Sequence, residues 1–147
     1  MSNQAVLQSD FDLLQKQKQK FLTLQPNRYS YIYAVDGFIS YKYKVVVREG
    51  RVGLLINLSA PFDTMINPKE SVTRRYSILG IFETLYAEYQ RALLSQGQSD
   101  SVYLSKIAVT YDSLLCFPTT VKYEYRAPSM VEVDGSWQRR IMDFQKN

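Results

Sequence analysis

The chain contains no histidine and a single cysteine. Without imidazole there is no Ser-His or Cys-His nucleophile and no His-ligated zinc. There is also no side chain whose ordinary titration falls near neutral pH. One cysteine forms neither an internal disulfide nor a CxxC metal clamp, which excludes a secreted fold stapled by disulfides. The six glycines are scattered singly, so a phosphate-cradling glycine loop is missing, as is the Gly-x-Ser-x-Gly nucleophile pattern. No apolar run reaches the ~20 residues needed to span a bilayer. The opening MSNQAVLQSDFD also lacks the hydrophobic segment of a signal peptide.

What is present describes a globular protein. The 147 residues suit one domain, 1–147, able to bury roughly 68–70% of its unfolded surface. Hydrophobic residues make up 46% and charged residues 22%, far from a disordered composition. Twelve tyrosines and seven phenylalanines against one tryptophan point to a sheet-rich protein, since such rings suit a pleated, half-buried surface. The net charge of +4 and pI near 9.1 permit an acidic partner without requiring one.

The spacing predicts a first helix over residues 6–24, with Leu7, Phe11, Leu14 and Phe21 on one stripe, Leu22 widening it and Lys18 interrupting it. Ser9 and Asp12 outline its N-terminal capping box, and Pro26 ends it. The QKQKQK run reads as a solvated outer face, because its lysines alternate with neutral glutamines and lack stacking aromatics. Three antiparallel strands follow, at about 29–35, 38–48 and 51–58, divided by Asp36-Gly37 and Glu49-Gly50. One side of them is apolar and aromatic, the other charged. Residues 59–70 read as a loop punctuated by Pro61 and Pro68.

An amphipathic helix carries Ile78, Phe82, Leu85, Tyr89 and Ala92, with Ser77 as N-cap and Gly97 as stop, and an earlier start near Ser71 left open. Strands recur where Ile107, Val109 and Tyr111 alternate, and again at Val121, Tyr123 and Tyr125. Between them, Asp112 and Ser113 are turn formers, and Cys116 has no neighbouring base or cation to make it a thiolate. That segment reads as a turn and Cys116 as structural. Asp134-Gly135 links a strand around 128–133 to a last strand, WQRRIMDF, whose Arg139-Arg140 pair reads as edge protection. The expected architecture is α+β: an antiparallel sheet of about six strands with two helices on one face, in the order α-β-β-β-α-β-β-β.

The order YSYIY, KVVVREGRV, SILGIFETL and VTYDSLLCFPT, over about residues 29–144, resembles an uncharacterised bacterial family, the domain of unknown function 6174. The resemblance implies a Tyr-x-Tyr strand, a strand ending in a glycine turn, and a Val-Thr-Tyr-Asp segment before a Pro-Thr strand. Cys116 stands where that family usually has glycine, which puts a demanding backbone angle there in doubt, and AVDGFISY lacks the family's cysteine pair. Many members look like exported lipoproteins. The resemblance therefore implies a periplasmic or cell-envelope location, with Met1 in place of a lipid-bearing cysteine and a membrane tether ahead of Ser2. A cytoplasmic location stays open, and the resemblance implies no activity.

Three functional classes follow. The preferred one is a non-enzymatic binding or scaffolding domain, with Tyr31, Tyr43, Tyr123 and Tyr125 either in the core or lining a groove for a protein, a peptide or an apolar small ligand. The second is a hydrolase using buried carboxylates, although Asp36, Asp112 and Asp134 each sit at an expected turn, and Glu83 and Glu88 do not share a helix face at a spacing of four. The third is a basic module for an anionic polymer, should Arg74, Arg75, Arg126, Arg139 and Arg140 converge. No RNA-binding signature accompanies them, so nucleic acid is not the expected partner. No cofactor or metal is expected.

Overall fold

The computed structural model describes residues 3–37, 39–59, 63–94, 103–126 and 137–147. Its elements are α1 (Asn3–Leu24), β1 (Arg28–Asp36), β2 (Tyr41–Arg48), β3 (Arg51–Asn57), β4 (Asp63–Ile66), α2 (Glu70–Tyr76), α3 (Ile78–Leu94), β5 (Tyr103–Tyr111), β6 (Pro118–Arg126) and β7 (Gln138–Lys146). The strands form one antiparallel sheet in the order β4-β3-β2-β1-β7-β6-β5. The α+β class is as expected, with seven described strands rather than about six and three helices rather than two. The strand expected around 128–133, Asp134-Gly135 and Gly97 lie outside the described residues.

The extra strand, β4, arises from the stretch read as a loop. It is four residues long and exposed throughout, and it pairs with β3 from Leu54↔Ile66 to Asn57↔Asp63. A segment so short between two prolines carries no period to detect. The second correction concerns β7. It is no edge strand: it pairs with β1 on one side and β6 on the other, joining the N-terminal meander to the C-terminal hairpin. Arg139 and Arg140 therefore occupy opposite faces of a central strand.

All three helices cover one face. That face receives Tyr29, Tyr31, Tyr33 and Val35 of β1, Val45 and Val47 of β2, Ile107 of β5 and Ile141 of β7, all buried. Above them lie Leu7, Phe11, Leu14 and Phe21 of α1 and the buried stripe of α3. Phe21 of α1 packs with Tyr29, Phe82 and Phe117 at ring separations of 6.3, 5.9 and 6.4 Å, so it binds helix, sheet and turn together. Fully burying such a ring stabilises by roughly 1.5–3 kcal/mol. Helix α1 starts earlier than expected, so Ser9 is interior and caps nothing, and Leu22 is exposed rather than part of the stripe.

Two helices replace the single one expected over 77–97 because Ser77 breaks the chain at ψ 150°. Its hydroxyl then accepts the Gly80 amide at 3.0 Å, capping α3 as its residue type predicts. Gly80 is required by packing: a Cβ there would sit 1.6 Å from the Arg74 carbonyl oxygen of α2.

Among the described residues, positive φ occurs at Asp143 within β7 and otherwise at turns and loop starts. Glu49 and Gly50 both have positive φ, 52° and 77°, as the tight hairpin between β2 and β3 demands. Cys116 adopts φ 67°, so the demanding angle doubted on the sequence is present, and it is held by a cysteine. The Asp112 carboxylate fixes that turn by accepting the Leu114 and Leu115 amides at 3.0 and 2.8 Å. The Cys116 amide donates back to the Asp112 carbonyl at 3.1 Å.

Candidate binding face

The sheet's second face is covered by no described helix. The alternation that sends Tyr31 and Tyr33 inward sends Ile32 outward, and the strand register assembles its neighbours across the sheet. Ile66, Leu54 and Val46 stand side by side in one row. The next row runs Ile56, Lys44, Ile32 and Met142. This corrects the expectation of a merely charged outer side: an aliphatic band crosses it from β4 to β7. Ile66 at its end is 74% exposed.

Charge on this face is one-sided. Lys42, Lys44 and Lys122 are exposed and, among the described residues, form no ion pair. Its acidic residues are few. Asp36 accepts Arg140 Nε at 2.6 Å and Gln138 Nε2 at 3.3 Å, and the Arg140 bond holds its carboxyl below the usual range. Glu124 sits opposite Lys106 in the register.

On the covered face, Arg139 reaches Glu88 of α3 at 3.4 Å, with both side chains largely buried. The guanidinium lies 4.9 Å from the Trp137 ring and 5.6 Å from the Tyr123 ring, and those rings stack at 4.4 Å. Desolvation raises the Glu88 pKa, opposed in part by the Tyr123 hydroxyl and Arg139. The Tyr123 hydroxyl approaches the carboxylate without closing a hydrogen bond of ordinary geometry, and Glu88 Oε2 and Arg139 Nε are buried without partners among the described residues. Glu88 is the one buried carboxylate among the described residues, and it meets a cation rather than a second acid.

The structure separates the residues singled out in the sequence. Tyr31 and Tyr123 lie in the core, and the Tyr31 hydroxyl donates to the Tyr76 carbonyl at the end of α2. Tyr43 is half-buried, with its ring 4.8 Å from Tyr76 and 5.6 Å from Tyr41. Burial raises the phenol of Tyr31 and takes that of Tyr33 to about 12. Arg74 is exposed on α2, 3.7 Å from Glu70, and Arg75 is exposed beside it. Arg139 and Arg140 point to opposite faces, so these four arginines form no common patch. The side chains of Tyr125 and Arg126 lie outside the described residues. Sequence reasoning missed Ile32, Val46, Ile56 and Met142; their signal was an apolar residue recurring among the polar ones at outward positions of neighbouring strands.

These features define a class: a sheet covered by helices on one face and, among the described residues, by no helix on the other, which is aliphatic and basic. No helix among the described residues is long and apolar enough to cross a membrane. No group of three or more metal-ligating side chains occurs among them. No protein-family model matches the chain, and no curated protein matches it at a significant level.

Proposed function

We propose that this chain is a non-catalytic binding domain that docks a protein or peptide partner through the open face of its sheet. The aliphatic band, with Lys44 inside it and Lys42 in the adjoining row, carries the reading. Apart from exposed Ile66 its aliphatic residues are part-exposed, and contiguous apolar surface with a polar rim is the common anatomy of an interaction patch. The fitting partner has an aliphatic centre and an acidic border. A second copy of the chain stacked face to face would bring lysines against lysines, which like-charge repulsion disfavours.

The test is a comparison between faces. The K42E/K44E variant alters the open side, and Q15E/K16E alters the solvent side of α1. Partners should be retained by the wild type and by Q15E/K16E, lost with K42E/K44E, and released as salt rises. Equal capture by all three proteins would overturn the reading.

Display from a bacterial membrane by the N-terminus is supported by the family resemblance at VTYDSLLCFPT. Metabolic lipid labelling of the native gene product tests it: label in the membrane fraction supports it, and an unlabelled cytoplasmic product removes it.

A further inference from the structure

Three arginines stand in one row at one end of the open face. Arg28 of β1 is the register partner of Arg48 of β2, and Arg48 is the partner of Arg51 of β3. All three share the outward phase of Ile32, Val46 and Leu54, and all are exposed. Like charges directly opposite each other destabilise a sheet. None of the three has an ion-pair partner among the described residues, and Glu49 in the turn between Arg48 and Arg51 pairs with neither. The row is thus a concentration of positive charge with no ion pair among the described residues.

Beside it the sheet is hollowed. Val52 pairs with Val47 and Leu54 pairs with Val46, leaving Gly53 unopposed as a bulge. The absent side chain opens a recess of about 550 Å³ lined by Arg48, Arg51, Leu54, Ile66 and their neighbours. Its wall is fixed by Asn67, whose amide donates to the Gly53 carbonyl at 2.8 Å and whose φ of 46° turns the chain away from β4. The volume falls within the range of small-molecule sites. One end is cationic and fork-shaped, suited to two-point contact with a carboxylate or phosphate. The other is aliphatic.

We infer that this recess is a binding site for an amphiphilic anion, a phosphate or carboxylate head carrying an aliphatic tail. Arg48 and Arg51 hold the head, Arg28 adds to the field, and Leu54 and Ile66 receive the tail. The site shares Leu54 and Ile66 with the aliphatic band, so a docked partner and the anion's tail compete there, while the arginine row and the Gly53 bulge lie outside the band.

Titration of the full chain with n-dodecyl phosphate, kept below its micellar concentration, tests this by amide chemical shifts. Shifts are expected at Gly53, Leu54 and Asn67, with sub-millimolar affinity. R48Q/R51Q should weaken binding at least tenfold while keeping the fold, since both side chains are exposed. G53L, which fills the recess, should weaken dodecyl phosphate more than inorganic phosphate. Vesicles of phosphatidylcholine and phosphatidylglycerol distinguish the source of the anion: retention by wild type and loss by R48Q/R51Q assigns a bilayer headgroup. Binding of free dodecyl phosphate without vesicle retention assigns a dispersed amphiphile. Shifts confined to other residues, equal binding of dodecanol, or an R48Q/R51Q affinity within twofold of wild type would overturn the inference.

Discussion

Glu88 and Arg139 meet at 3.4 Å under α3, the carboxylate from the helix and the guanidinium from the middle of the sheet. Each occupies the apolar phase of its own element: Glu88 lies within the buried stripe of α3, and Arg139 lies between Trp137 and Ile141 on the inward side of β7. A charge in that position is tolerated only with its partner. E88A is therefore expected to destabilise by about 3 kcal/mol, because it strands a buried cation. E88L/R139M should recover most of that loss, as apolar replacements of both partners often do. Urea unfolding of the single and double variants measures the coupling. A double variant no more stable than E88A would contradict the assignment.

The same pair gives a pH signature. Desolvation raises the folded pKa of Glu88 above its ordinary value of 4.5, so the folded state holds that proton more tightly than the unfolded state. By linkage, the glutamate favours folding at low pH and loses that contribution as pH rises from about 4.5 through its raised pKa. The stability of wild type relative to E88Q should therefore fall across that window and level off above it. A difference that rises with pH would contradict it.

Cys116 at φ 67° is a left-handed residue with a side chain, a conformation that costs roughly 1–2 kcal/mol for an L-residue and little for glycine. C116G should leave the melting temperature unchanged or higher, with relief of strain offsetting the lost thiol contact and the looser unfolded chain. C116V should lower it by several degrees, since a branched side chain tolerates this angle poorly. Calorimetry of the three proteins orders them, and a more stable valine variant would remove the strain argument.

Tyr31 and Tyr111 separate a satisfied hydroxyl from an orphaned one. The first donates to the Tyr76 carbonyl, tying β1 to α2; the second is buried without a partner among the described residues. Y31F should cost about 1–3 kcal/mol through the unpaired carbonyl, whereas Y111F should be neutral or stabilising. Denaturant midpoints decide, and equal losses would show that both hydroxyls are bonded.

Gly80 and Gly50 make a similar contrast. G80A drives a Cβ to 1.6 Å from the Arg74 carbonyl and must push α2 off α3, while Gly50 has open space around it but φ 77°. About 2–4 kcal/mol is expected for G80A and about 1 kcal/mol for G50A. Only G80A should alter the near-ultraviolet signal of the tyrosines packed on Tyr76.

Local patterns made much of this fold legible. The stripe of α3 from Ile78 to Ala92, the inward tyrosines of β1 and the Glu49-Gly50 turn all follow from side-chain period or from required φ. Strand order did not, because the insertion of β7 between β1 and β6 is a contact across about a hundred residues that no local pattern encodes. The four exposed residues of β4 gave no period. The open face was hidden for a different reason. Ile32 sits inside the apolar run YSYIYAV, where an outward aliphatic residue looks like part of the core. Only the register, which sets Ile32 beside Lys44 and Met142, shows a surface band.

Accessibility of side-chain methyls to a neutral gadolinium chelate, followed by relaxation in dilute solution, addresses the account where it is most exposed. Ile32, Ile56 and Met142 should relax rapidly, and Val45, Leu55 and Ile107 slowly. Equal protection of both sets would mean that the second face is covered in the free protein, and that it is not the docking surface.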